Sequence, residues 1–378
     1  MGTSYLDRYQ KESDTIYKKI ITLIILIITL LSTISGCLQQ AETSKNNNTN
    51  NTPSINENNT IYVGSTHADY RTIQEAINAA KNGAKIIIKN GSYNELIVIN
   101  KTITLMGEDK NTTIINFSPD YEIRSQVSII NINAANCSLE NLHITLSNKS
   151  RFISSGETHS CCGQPAGPVS TTIFLAGGIS INSNNNTITN TIITNVSEGI
   201  QLSAHSESNT IIHNEIKNNQ IGIETSNSVN NTISHNILSN NQQYNIYLST
   251  DSDTNKVSFN IIETSTYGIR IKGSQHNNVY KNCIKNNDIG IYCCCDAKSN
   301  YIYNNTLLNN FLRNAEENEG LTNIWYDYPN GTGNYWDNYT GSDENHDGIG
   351  DVPYEIYNAG NRDIYPLMTP PLDVPCNQ

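Results

Sequence analysis

The stretch Asp343-Glu344-Asn345-His346-Asp347-Gly348-Ile349-Gly350-Asp351 has the residue types and spacing of a cation loop. Oxygen-bearing side chains alternate and glycine falls at the sixth place, as in the first half of an EF-hand-type calcium loop. Asp343, Asn345 and Asp347 would supply side-chain oxygens, Ile349 its carbonyl, and Asp351 a further oxygen or a bound water. Position twelve is Tyr354, not Glu. That departure lowers the expected affinity and points to Ca2+ in a structural role; the plainer alternative is a metal-free polar turn.

Cysteines form the next cluster. Of nine in the chain, Cys161-Cys162 and Cys293-Cys294-Cys295 are contiguous. Strand alternation puts Cys293 inward and Cys294 outward. One reading staples Cys161 or Cys162 to the 293–295 cluster by disulfides; the other is a soft thiolate site for copper(I). His213 and His235 share a column 22 residues apart. Two imidazoles are too few for a metal site, so stacked surface histidines are expected.

A third set could bind sugar. Outward positions at one place in the repeat read Gln201, Glu224, Tyr247, Arg270 and Tyr292; elsewhere Tyr280, Tyr303 and Tyr326 stand in file. Aromatic faces with interleaved polar groups suit sugar rings. Tyrosine is also simply a good exposed strand residue.

These residues are positioned by a repeat. Its leading Asn occurs at 186, 209, 231, 255, 277 and 300, in steps of 23, 22, 24, 22 and 23 residues. A fixed period in this range means stacked units, each burying its apolar face on the next. Three apolar columns recur, on Ile188, Ile193 and Ile200, so each unit holds three short strands. A second Asn column (Asn214, Asn236, Asn260, Asn282, Asn305) is expected to take left-handed corners and to bond amide to amide between coils. Asn136 and Asn141 show the same spacing, so the stack begins earlier. Between about 149 and 172 the period breaks into an inserted loop.

Ahead of the stack, Ile73, Ala76, Ile77 and Ala80 form a helical stripe, read as a cap. The run from Ile20 to Ile34 behind Lys18-Lys19 is short for a spanning helix, which needs roughly 20 residues. It reads as an export signal ending at Cys37, a lipid-anchor candidate, or as an uncleaved anchor. Residues 38–60 read as an Asn-rich linker, 61–332 as the stack and 333–378 as a C-terminal cap. The net charge is −12 without basic clusters, which excludes nucleic acid as the main partner.

The motifs Tyr70-Arg71-Thr72-Ile73-Gln74-Glu75-Ala76-Ile77, Gly91-Ser92-Tyr93-Asn94-Glu95 and Ile103-Thr104-Leu105-Met106-Gly107-Glu108 resemble the opening of the right-handed parallel β-helix superfamily. That group includes pectate-lyase-like enzymes and NosD-like proteins. Gly333-Asn334-Tyr335-Trp336-Asp337-Asn338-Tyr339 through Asp363-Ile364-Tyr365-Pro366-Leu367-Met368 resembles the end of NosD-like chains. The fold class is therefore all-β, a right-handed parallel β-helix. Trp325, Tyr335 and Trp336 are expected to cap its lower end. Gly268-Ile269-Arg270-Ile271-Lys272 is similar to a polygalacturonase substrate-binding motif, but its companion motifs are missing.

The leading functional reading is a lipid-anchored, non-catalytic surface protein that binds carbohydrate or builds the cell envelope. A polysaccharide lyase, hydrolase or epimerase is the alternative. The NosD resemblance alone implies a third, copper delivery to an exported enzyme.

Overall fold

In a computed structural model, residues 59–118, 127–147, 152–153, 172–173, 176–318 and 323–376 are described. The chain divides into Met1–Pro53 and Ser54–Gln378. The first unit, with the expected signal and Cys37, lies outside the described residues, as do Cys161 and Cys162.

The second unit is a right-handed parallel β-helix. Each coil gives one short strand to each of three parallel sheets, which hold ten, ten and nine strands. The first sheet runs through Thr187–Thr189, Thr210–Ile212 and Thr232–Ser234; the second through Ile192–Thr194, Glu215–Lys217 and Ile237–Ser239; the third through Glu198–Leu202, Ile221–Ser226 and Tyr244–Ser249. The apolar columns meet in register, as in Ile188↔Ile211 and Ile193↔Ile216. They are fully buried, so the interior is a continuous aliphatic file. Successive coils lie about 4.8 Å apart, the hydrogen-bonding distance between neighbouring strands.

Both expected Asn columns lie inside, at 0–1% exposure. The first passes Asn186 Nδ2 to Asn209 Oδ1 at 3.0 Å and Asn209 Nδ2 to Asn231 Oδ1 at 3.1 Å. The second continues from Asn214 through Asn236, Asn260, Asn282 and Asn305 to Asn334, with amide contacts of 2.9–3.1 Å. Each Asn also accepts the backbone N–H of the Asn above, as when Asn214 N donates to Asn236 Oδ1 at 2.9 Å. The corner's orphaned backbone donors are thereby satisfied.

The left-handed residue is not the ladder Asn but the one before it. His213, His235, Phe259, Lys281 and Asn304 all have φ of 54–59°. The ladder Asn must point inward to bond its neighbours, so the preceding residue absorbs the corner. Asn136 and Asn141, with φ of 59° and 56°, are corner residues by the same rule. Cys137, whose N–H donates to Asn186 Oδ1, is the ladder position of that coil.

A third inward Asn column, not anticipated, comprises Asn219, Asn241, Asn287 and Asn310. Asn219 N donates to Asn241 Oδ1 at 3.0 Å and Asn287 Nδ2 to Asn310 Oδ1 at 3.1 Å.

The helix forms at Ile73–Ala79, with Thr72 accepting from Glu75 N as N-cap. It buries Ile73, Ala76 and Ile77 over the open upper end. Glu95 accepts the Ile73 and Gln74 N–H groups, and Gln74 bonds Val98 through both N–H and C=O. The helix thus blocks the exposed edge of the third sheet, where another strand could otherwise add.

At the lower end Trp325 and Trp336 are buried with ring centroids 6.1 Å apart. Tyr354, not Tyr335, stacks on Trp336 at 4.1 Å; Tyr335 is half-exposed. Cys283 and Cys376 form a disulfide across 93 residues, tying the C-terminal segment to the second sheet. Beside it Lys281 pairs with Asp373 at 2.6 Å. At the inserted loop, Phe152–Ile153 pairs antiparallel with Thr172–Ile173, so the chain leaves the stack as a ribbon there.

Candidate functional site

The third sheet carries the densest chemistry. Its register aligns Gln201, Glu224, Tyr247, Arg270, Tyr292 and Glu316 in one outward column. A parallel column holds Glu198, Ile221, Tyr244, Tyr267, Ile289 and Arg313. Tyr244 and Tyr247 are three apart yet face the same way, which strict strand alternation forbids. The chain bends at the intervening Asn245 and its equivalents, Gly222, Gly268 and Gly290. A Cβ at Gly268 would sit 2.6 Å from the Gly290 carbonyl oxygen, so the coils touch backbone to backbone there. This bend turns a second row of tyrosines outward.

Four rings consequently enclose one guanidinium. The Arg270 Cζ lies 5.3, 5.5, 5.7 and 5.6 Å from the ring centroids of Tyr244, Tyr247, Tyr267 and Tyr292. The rings also contact one another, Tyr244 with Tyr247 at 4.7 Å and Tyr267 with Tyr292 at 5.4 Å. Arg270 Nη1 donates to Tyr244 Oη at 2.6 Å and Nη2 to Cys294 Sγ at 3.6 Å. Its Nε is buried without a hydrogen-bond partner among the described residues. No described carboxylate forms an ion pair with it; nearby Arg313 pairs with Glu316 instead, at 3.0 Å. Cation–π contacts stabilise such a group but do not neutralise it.

Two coils above Arg270, Glu224 is pushed up to about 7, first by burial and then by the charge of Glu198. Burial likewise raises the Tyr247, Tyr267 and Tyr292 phenols, which stay protonated donors at neutral pH. The face is therefore polarised, with Glu198 and Glu224 at one end and Arg270 and Lys272 further down.

The expected tyrosines do not form one set. Tyr280 and Tyr303 stack at 5.4 Å on the first sheet, away from Tyr247, Arg270 and Tyr292 on the third. Tyr326 meets Tyr365 edge-on. His213 and His235 are neighbours at 5.1 Å, but their rings are tilted by 49° rather than stacked; the stacked pair is His235 with Phe259, at 4.9 Å and 15°. Asp251 sits at a left-handed corner and Asp253 accepts the Gln275 N–H, so neither reaches the tyrosine face.

Cys293 is inward, in register with Ile271, and buried. Cys294 is on the outward side beside Lys272, yet only 1% exposed. Cys295 follows at a left-handed corner with φ of 59°. Its Sγ is 3.1 Å from Cys294 Sγ.

In the 343–351 turn, Asp343 accepts the N–H groups of Asp347 at 3.2 Å and Gly348 at 3.0 Å. Asp347 accepts Ile349 N, and Asp351 accepts Glu344 N. Gly348 has φ of 86°, the left-handed turn that the sixth position requires. Among the described residues no three His, Cys, Asp or Glu side chains gather as metal ligands.

Residues 55–244 match the family described as "Protein of unknown function (DUF1565)", and residues 168–341 match "Periplasmic copper-binding protein (NosD)". No curated protein is matched. Among solved structures, the complex of XylC with xylose is similar at 11% identity, covering 68% of this chain and 67% of that one with a TM-score of 0.52. Pectin methylesterase from carrot follows at 14% identity, 73% and 88% coverage and a TM-score of 0.49. Pectate lyase Pel9A matches at 12%, 73% and 74%, with 0.48. At such identities the likeness is one of fold. Of the cysteines expected as a thiolate site for the copper that one family description names, Cys294 and Cys295 bring two sulfurs to 3.1 Å with the Arg270 guanidinium against the first, while Cys293 faces the interior and Cys161 and Cys162 lie outside the described residues.

Proposed function

The chain belongs to the family described as "Protein of unknown function (DUF1565)", a parallel β-helix family, and from that premise we propose that its third sheet binds an acidic polysaccharide. The observation that carries this is Arg270, a half-buried guanidinium ringed by four tyrosines and lacking a carboxylate partner among the described residues. A desolvated charge of this kind is costly unless an anion meets it. A sugar carboxylate or sulfate would supply that anion, while Tyr247 and Tyr292 take the apolar faces of adjoining rings. The family description "periplasmic" and the signal-like run before Cys37 support an exported protein tethered at its N-terminus.

A glycan array tests this reading. Acidic glycans should be retained over neutral ones, with Tyr247→Ala and Tyr292→Ala each losing about tenfold in affinity. Retention of neutral glycans alone, or none, would sink it.

Glu224 favours one second reading, a polysaccharide-active enzyme. A carboxyl poised near neutrality suits general acid–base chemistry. Depolymerisation of an acidic glycan that is lost in Glu224→Gln while binding persists would establish it. At the lower end we retain calcium as a structural ion of the 343–351 turn, since Asp343 already organises that turn through two N–H groups. Calorimetry with calcium on wild type and Asp347→Ala checks it; no binding by wild type would remove the ion.

A further inference from the structure

The three consecutive cysteines are sorted by the fold into three environments. Cys293 points into the aliphatic interior, and its thiol is pushed well up, first by burial and then by Glu317. It is thereby held as an inert thiol. Cys294 ends the same strand on the other side, covered from solvent but touching the Arg270 guanidinium. Cys295 stands at the corner beyond, partly exposed, with its sulfur 3.1 Å from that of Cys294. An accessible sulfur, a covered sulfur within reach and a cation beside the second are the parts of a thiol-exchange pair.

We infer that Cys295 and Cys294 form such a pair, a modification site that takes a low-molecular-weight disulfide as co-reactant. The Cys295 thiolate attacks one sulfur of the external disulfide, and the other sulfur leaves as a thiolate. The mixed disulfide then lies beside Cys294. The Cys294 sulfur attacks Cys295 Sγ, its proton passes to the second small thiolate, and that thiol departs. In balance, two protein thiols and one external disulfide become one Cys294–Cys295 disulfide and two small thiols. The protein is oxidised by two electrons and the reagent is reduced by two. The Nη2 group of Arg270 faces the Cys294 sulfur as charge develops on it, and loses that thiol acceptor once the bond has formed. Cys293 takes no part, because its sulfur faces the interior.

The test treats the full-length protein with oxidised glutathione, followed by alkylation and peptide mass mapping. The wild type should yield a Cys294–Cys295 cross-link with Cys293 still alkylatable after unfolding. Cys294→Ser should stop at a stable glutathione adduct on Cys295, and Cys295→Ser should give neither adduct nor cross-link. Absence of any change at 294 and 295 in the wild type would overturn the inference. So would a bond from either residue to Cys161 or Cys162, or an adduct on Cys294 in the Cys295→Ser protein. Because the readout is covalent mass, it stands or falls separately from glycan binding.

Discussion

The backbone N–H of Asn334 donates to the Asp363 carboxylate at 2.7 Å, and there the second ladder of amides ends. Every ladder Asn above accepts an N–H from the coil before it; Asp363 closes the series with an acid that also accepts Trp336 Nε1 at 2.9 Å and Tyr365 N at 3.0 Å. Glu317 ends the first ladder in the same way, accepting from Asn323 Nδ2 at 2.8 Å and Trp325 Nε1 at 3.0 Å. The two tryptophans that close the core are thus fixed by the acids that close the ladders.

Burial holds Asp363 up at about 6, against an ordinary value of 3.8, although its N–H donors pull the other way. A carboxyl raised in the folded state stabilises fully below its unfolded value and loses that contribution as pH rises through the folded one. About two units correspond to about 3 kcal/mol. Urea unfolding should therefore show stability falling between about pH 4 and about pH 7. Asp363→Asn should flatten that slope, leaving a smaller decline near neutrality from Glu224. A slope unchanged in the variant would contradict the assignment.

Ladder and corner positions should respond unequally to substitution. Asn260 accepts from Asn236 and donates to Ile233 O at 2.9 Å and to Asn282 at 3.0 Å. Asn260→Ala strands several buried groups and should cost roughly 2–4 kcal/mol. His235→Gly, at φ of 55°, relieves a left-handed residue. It should change stability by less than about 1 kcal/mol. Equal losses at the two positions would show that the inward amides do not carry the coil stack.

The Cys283–Cys376 bond closes a long loop. Its removal by Cys376→Ser should cost roughly 2–5 kcal/mol. The melting temperature of the wild type should fall on reduction and that of the variant should not. A variant as stable as the oxidised wild type would mean that the C-terminal segment is held by its other contacts.

Glu224 should set the pH dependence of ligand binding. Protonated below about 7, it does not repel an anionic chain; ionised above that pH, it does. Affinity for an acidic oligosaccharide should rise as pH falls through neutrality, and Glu224→Gln should abolish the dependence. The same profile in both proteins would remove Glu224 from the site.

Much of this architecture was legible because stacking imposes a period. The Ile columns, the helix over the upper end and the inward Cys293 follow from spacing alone. The corner conformation was misplaced by one residue, since spacing cannot say which member of His213-Asn214 turns inward. The third Asn column was hidden where Val196 and Ser265 replace asparagine. Tyr244 and Tyr267 were missed because alternation assumes a flat strand, and the backbone contact at Gly268 bends it. The pairing of Cys283 with Cys376 depends on where the C-terminal segment returns, which no local pattern records.

The central claim rests on Arg270, and one titration addresses it most directly. An oligogalacturonate is titrated calorimetrically into the full chain and into Arg270→Gln at about pH 6. The wild type should bind, and the variant should bind at least about tenfold more weakly, a loss of about 1.4 kcal/mol. Equal binding by the two proteins, or none by the wild type, would contradict an anion site at the centre of the tyrosine face.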